Sequence, residues 1–320
     1  MQGAALSADA LSGRDLPLSE LSGASAGGCS APEAGHAFGF MSHSSLAAEL
    51  RQHDRDRYQI ALFAQTGRRD ALFALYAFNY EVARIREAVR EPMLGLVRLQ
   101  WWRDALDEIY AGKPPRRHEV VAPLAAAIAA HGLSQAYFRA LLEARTRDME
   151  EAPPESLEAL ENYAAGTSGS LVLLALEVLG VRDAQTAATG REIAIAYTFA
   201  GLLAAAPFHA RRRRVYLPAS LTAQHGVDLE RSLFALKSSP ELAAVSRDIT
   251  DRARGHLRAA RQRRGAVARA AMPALLHAVL AERRLRQLDA VDHNLFDPKL
   301  AVGDTLQSLR LAWAVLRRRY

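Results

Sequence analysis

From residue 56 onward the chain repeats one pattern. Apolar positions recur three or four apart, and proline or glycine cuts each run. Ala71, Leu75, Phe78, Val82, Ile85 and Val89 keep this spacing, which puts them on one face of a helix. Glu91-Pro92 predicts the end of that helix, because the residue before proline avoids the α region. A shorter helix is predicted before it, from Ser45 to His53, and a second long one from about Met93 to Tyr110. Ser134 stands as an N-cap for a helix reaching Met149, which Pro153-Pro154 breaks. Leu157 to Leu179 reads as one long helix loosened by Gly166 and Gly169, and another runs from about Ala184 to Ala206 and stops at Pro207.

Leu242, Val245, Ile249, Ala253, Leu257 and Ala260 form a further stripe, with Arg247, Arg254, Arg258 and Arg261 on the opposite face. Pro273 is placed near a helix start, and the last helix is predicted from about Asp304 to Leu316. Strand alternation, Asn-Gly hairpins and internal repeats are missing, so the expected class is all-α.

Residues 1 to 40 break the pattern. Gly, Ser and Ala dominate there without a helical period, and disorder is expected. Their acids (Asp9, Asp15, Glu20, Glu33) outnumber Arg14, unlike a transit peptide, and no basic start precedes an apolar core, unlike a secretory signal. Met41 is the expected translation start, with residues 41 to 320 forming a single domain.

Composition narrows the functions. Apolar residues make up 50% of the 320, enough for a full core. The longest apolar stretch, Leu171 to Leu179, is interrupted by Glu177 and is too short to span a bilayer. Cys29 is the only cysteine, which excludes a disulfide within the chain and a cysteine metal site. The net charge of +6 comes mostly from arginines at 211–214, 247–269, 283–286 and 317–319. Such a bias fits either a solvated arginine-rich surface or an anionic neighbour, of which a membrane surface is the first. Nucleic acid is not expected, since the basic residues are not interleaved with stacking aromatics.

The common catalytic signatures are missing. There is no Gly-x-Gly-x-x-Gly and no Walker loop to cradle phosphates. Gly166-Thr167-Ser168-Gly169-Ser170 lacks the last glycine of a nucleophile elbow. No His-x-x-x-His pair suggests zinc.

Two segments carry a resemblance. One is Gly67-Arg68-Arg69-Asp70-Ala71-Leu72-Phe73-Ala74-Leu75-Tyr76-Ala77-Phe78-Asn79, and the other is Arg212-Arg213-Arg214-Val215-Tyr216-Leu217-Pro218. Between them fall Trp102-Arg103, Tyr163 and Gly169. In order and spacing these resemble the squalene and phytoene synthase family, over roughly Asp56 to Leu316. The resemblance implies an isoprenoid-synthase-like bundle around a central cavity. It also implies two Asp-x-x-x-Asp motifs, whose carboxylates share a helix face and hold magnesium against a departing diphosphate.

Both motifs are broken in this sequence. The first pair of aspartates corresponds to Ala83 and Glu87, with Arg84 following the first; the second corresponds to Ala205 and His209. Alanine offers no lone pair, and histidine is a poor magnesium ligand. No catalytic residue, metal or other cofactor is therefore expected. The alternative is a magnesium-dependent prenyl-transferase acting on prenyl diphosphates.

Further segments sharpen the resemblance. Glu91-Pro92-Met93-Leu94-Gly95 leads into Leu99-Gln100-Trp101-Trp102; Pro207-Phe208-His209-Ala210 leads into the arginine run; His225-Gly226-Val227 follows; and Asp292-His293-Asn294-Leu295-Phe296-Asp297-Pro298 lies near the end. These resemble the mitochondrial complex I assembly factor 6 branch of the family and its bacterial relatives. That implies a non-catalytic protein, peripheral on the inner face of the respiratory membrane, with complex I subunits or assembly intermediates as partners.

Several residues admit two readings. Arg69, Arg84, Arg214 and Tyr216 either line a cavity that binds a phosphorylated lipid without metal or form internal salt bridges, with Glu81 or Glu87 as partners. The second reading is favoured. Arg211 to Arg214 either touch anionic headgroups or place only Arg214 inward. Asp104 and Glu108 are expected on a solvated helix face, Asp248 and Asp251 to pair with arginines, and Trp101 and Trp102 to serve packing or a partner groove.

Overall fold

The apolar stripes become buried helix sides, except that Ile85 and Val89 fall beyond the end of theirs. The computed structural model describes residues 43–320, so the expectations for residues 1 to 40 and for a start at Met41 lie outside the described residues. In chain order the first helices are α1 (His43–His53), α2 (Arg55–Ala61), α3 (Thr66–Ala83), α4 (Pro92–Tyr110), α5 (Val121–His131) and α6 (Gln135–Thr146). Then come α7 (Leu157–Ala164), α8 (Ser170–Val178), α9 (Ala184–Ala204), α10 (Ala206–Ala210) and α11 (Ala219–Gln224). The chain closes with α12 (Pro240–Gln262), α13 (Met272–Leu275), α14 (His277–Asp289) and α15 (Gln307–Arg317). No strand occurs among the described residues.

The centre of the bundle is built from α8 and α9. Every residue of α8 is buried, and α9 buries residues all around its circumference, from Thr186 and Ile193 to Tyr197, Phe199 and Leu203. A helix buried on all sides needs helices on all sides. Accordingly α9 packs along α12, α14 and α8, while α3 packs against α1, α5 and α8. The predicted stripe of α12, Leu242 to Ala260, faces inward over its whole length. Polar side chains cap the starts of α2, α7, α9 and α12: Asp54 accepts from Arg57 N–H, Ser156 from Ala159 N–H, Asp183 from Thr186 N–H and Ser239 from Leu242 N–H.

Several predicted helices differ in detail. The helix begun at Thr66 ends at Ala83, well before Glu91-Pro92. Ile85 stays buried, but its N–H bonds to Val82 O and Glu87 N–H to Arg84 O, the three-residue bonds that tighten a final turn. The run from Leu157 to Leu179 is continuous but widens into a π turn at Ala165–Gly169. Gly166 makes this approach possible, since a Cβ there would sit 2.6 Å from Ala144 Cβ on α6. The long helix α9 stops at Ala204, and Pro207 falls in the first turn of α10, where a missing N–H costs nothing. The last helix begins at Gln307 rather than Asp304.

Ser134 does precede α6, but its side chain makes no cap bond to that helix. Its hydroxyl and its N–H both donate to Glu177, which is buried on α8 and also accepts from Arg182. The acid that interrupted the apolar stretch is thus a cap supplied from another helix.

Candidate functional site

The first degenerate motif sits at the end of α3. Ala83 is its last residue and Arg84 its C-cap, so Glu87 lies in the turn beyond rather than one helical turn along. Glu87 is exposed. Arg84 is 46% exposed, pairs with Glu81 at 3.4 Å and lies over the Tyr80 ring. Glu81, not Glu87, is its partner. Arg84 borders a cleft of about 220 Å³ whose other walls include Arg98, Trp101, Trp102 and His118. The two tryptophans meet edge to face at 5.1 Å, and Trp102 packs on Phe78 at 5.2 Å, which is the packing role expected of them.

The second motif falls where α9 breaks. Ala205 caps α9, and His209 lies on α10 with its ring 4.7 Å from that of Tyr216. Burial and the neighbouring Arg214 lower the His209 pKa to about 4, so this imidazole is neutral at neutral pH.

Arg214 and Tyr216 both turn inward onto Asp148, which is only 4% exposed. The Tyr216 hydroxyl donates to Asp148 Oδ1 at 2.9 Å, and the Tyr163 hydroxyl reaches the same oxygen at 2.9 Å. Arg145 Nη1 holds Oδ2 at 3.1 Å, while Arg214 Nη2 donates to the Asp148 main-chain carbonyl at 2.6 Å. Burial pushes the Tyr163 hydroxyl well above the usual phenol range, so it remains a donor. The crevice left beside His209, Arg214 and Tyr216 measures about 10 Å³, roughly the room for one water.

The remaining expected residues disperse. Arg69 donates to the carbonyls of Leu62 and Ala64, bracing the loop before α3. It stands at the opposite end of α3 from Arg84, about 22 Å along the axis. Ala205 borders a separate cleft of about 420 Å³ with Asp56, Arg284 and Gln307. The clefts of Arg84, Ala205 and His209 have no lining residue in common, so the degenerate motif positions do not converge on one cavity. The arginine run also divides: Arg214 packs inward, Arg213 pairs with Glu230, Arg212 lies over Phe208, and Arg211 is exposed. Glu108 is bound by Arg116 and Asp104 by Gln100, both half-buried. Asp251 pairs with an arginine, Arg254, as expected; Asp248 instead meets His225 at 2.7 Å, because α11 brings that ring over the side of α12.

The residues present do not suit a magnesium–diphosphate cluster. Ala83 and Ala205 supply no oxygen, Glu87 is a lone exposed carboxylate, and His209 is enclosed beside a guanidinium. Among the described residues, no group of three or more His, Cys, Asp or Glu comes together that could hold a metal.

Asp148 and Arg145 are the members of this site that the sequence did not flag. An Arg-x-x-Asp spacing before Pro153-Pro154 is visible, but nothing local shows that Tyr216, 68 residues on, reaches the same carboxylate.

Among the described residues, an all-helical bundle packed around α8 and α9 is an isoprenoid-synthase-like architecture. Comparison with known proteins fixes the family: the squalene/phytoene synthase family model matches residues 50–313, and the chain belongs to that family. It is 35% identical to complex I assembly factor 6 of Bos taurus over 273 residues, 85% of this chain and 81% of that protein. It is 33% identical to the Homo sapiens assembly factor 6 over 308 residues, 96% of this chain and 90% of that protein. Identity to the chloroplastic phytoene synthase 1 of Arabidopsis thaliana is lower, 24% over 77% of this chain and 60% of that protein. A ligand-bound dehydrosqualene synthase shares the fold, with a TM-score of 0.75 at 18% identity over 86% of this chain and 95% of that one.

Proposed function

We propose that this chain is a non-catalytic member of its family that helps assemble the respiratory NADH–quinone oxidoreductase, working peripherally at the membrane. The observation that carries the non-catalytic part is the Asp148 network. Two of the side chains read as possible phosphate contacts, Arg214 and Tyr216, are committed to a buried carbonyl and carboxylate, and the adjoining space admits about one water. A prenyl diphosphate needs hundreds of Å³, which the crevice beside these two side chains does not offer. The similarity to proteins named as complex I assembly factor 6 supports the assembly part. No helix among the described residues is long and apolar enough to cross a membrane, which fits a peripheral position.

The test is deletion of the gene in its own cell, with native-gel quantification of the assembled oxidoreductase and analysis of membrane isoprenoids. The expected result is loss of assembled complex with unchanged squalene-type lipids. Normal complex with a missing isoprenoid product would restore the transferase reading.

A further inference from the structure

The surface of α15 has an unusual composition. Its inner side is ordinary: Gln307, Leu311 and Ala314 are buried against the bundle. Its outer side is not. Leu309 is 67% exposed, Trp313 55% and Leu316 74%, at spacings of four and three that align them as one outward stripe. Leu306, just before the helix, extends the stripe by a further turn. No acidic residue occurs within α15, whereas Arg310 and Arg317 lie on it and Arg318 and Arg319 follow.

Beside the stripe runs an open cleft of about 610 Å³ between α14 and α15. Arginines 261, 283, 286, 310, 317 and 319 line it, against a single acidic side chain, Glu282, and the main-chain oxygen of Tyr320, which accepts from Arg261. Glu282 is shared by Arg261 and Arg286, and the nearby Asp304 by Arg283 and Arg310. Two carboxylates divided among four guanidiniums leave the cleft with a large positive excess. Arg317 lies over the Trp313 ring at 4.2 Å, so one pair of residues joins the cationic cleft to the apolar stripe.

The geometry points to this face as a docking surface for an anionic phospholipid bilayer. The cleft's guanidiniums would match headgroup phosphates, and Leu309, Trp313 and Leu316 would enter the boundary between headgroups and acyl chains. An exposed apolar stripe rimmed by arginines, with a tryptophan at its centre, complements a charged interface rather than a neutral one. The arginines expected to serve this purpose at 211–214 are less available, since Arg214 is turned inward and Arg213 is paired. The proposal rests on the peripheral-membrane part of the function proposed above and not on the identity of the client complex.

Co-sedimentation of the full chain with phosphatidylcholine vesicles, with and without phosphatidylglycerol, tests it. Binding is expected only to the anionic vesicles and should weaken steeply with salt. Leu309→Ser with Leu316→Ser, or Arg317→Glu with Arg319→Glu, should each reduce binding at least about tenfold while leaving the circular dichroism spectrum unchanged. In the unaltered chain, brominated lipids should quench a component of fluorescence that Trp313→Phe removes. Equal binding to neutral vesicles, no binding, or anionic binding that survives both double variants overturns the proposal. Failure here would leave the amount of assembled oxidoreductase in the deletion strain as an independent readout.

Discussion

Tyr216 donates its hydroxyl to Asp148 at 2.9 Å, and this bond joins the loop after α10 to the three-residue turn after α6. It ties down the segment that carries the second degenerate motif. With Arg145 and Tyr163 on the same carboxylate, the network is a cross-brace. Removing Asp148 should therefore cost far more than removing one of its donors. Asp148→Ala leaves the buried Arg145 uncompensated and should lower the unfolding free energy by about 3–5 kcal/mol. Tyr216→Phe should cost about 1 kcal/mol. Urea unfolding of both variants checks the ratio.

The same geometry ranks two arginines. Arg84 makes one long, half-exposed pair and Arg214 a short bond to a buried carbonyl. Arg84→Ala should change stability by less than about 1 kcal/mol, whereas Arg214→Ala should cost about 1.5–3 kcal/mol. Thermal unfolding midpoints measure both. Calorimetric titration with farnesyl diphosphate should show no magnesium-dependent binding to either variant or to the original chain.

Asp56 is a second cross-brace. It accepts from Tyr197 at 3.0 Å, from Arg284 at 2.5 Å and from Gln307 at 2.8 Å, linking α2 to α9, α14 and α15. Burial works against its charge, but Arg284 and these bonds outweigh that and hold its pKa below the usual carboxylate range. Asp56→Ala should lower stability by about 3–5 kcal/mol and loosen α15 first. Hydrogen exchange would show lost protection across 307–317 before the centre of α9.

Acid should weaken the fold through two histidines. Burial lowers the pKa values of His277 and His209 to about 4 each. The unfolded rings take up protons near pH 6.5, so below that the unfolded chain binds more protons than the folded one. Stability is then full above about pH 6.5, falls as pH drops toward 4, and levels off below, by on the order of 3 kcal/mol per ring. His256 acts oppositely. Burial lowers its pKa, but Glu192 and Glu161 raise it further, so its contribution is complete in acid and fades as pH rises through its folded pKa. Unfolding free energies across pH 4 to 8 should show the first trend in the original chain and a shallower slope in His209→Gln.

The π turn depends on Gly166. Gly166→Leu would force a side chain into Ala144 across α6 and should cost at least about 2 kcal/mol. Gly67→Leu, with open space around its Cβ position, should cost about 1 kcal/mol or less. Denaturation curves of the two variants make the comparison.

The sequence by itself determined the helical class, the buried faces of α3 and α12 and the absence of carboxylates at Ala83 and Ala205. These are local properties: a period of 3.6 fixes a face, a proline or a capping residue fixes an end, and a missing oxygen is missing in any fold. Order and spacing of the two arginine–tyrosine segments were also enough to indicate the family. Only the tertiary structure decided the remainder. Arg214 and Tyr216 gave no sign in the sequence of reaching Asp148, because that contact depends on how the turn after α6 and the loop after α10 are brought together in space. Arg84, Ala205 and His209 looked like parts of one cavity, yet the early ends of α3 and α9 send them to separate clefts. The outward stripe of α15 was hidden for the same reason. Its two apolar sides look alike in the sequence, and burial of Leu311 and Ala314 selects which side remains for a partner.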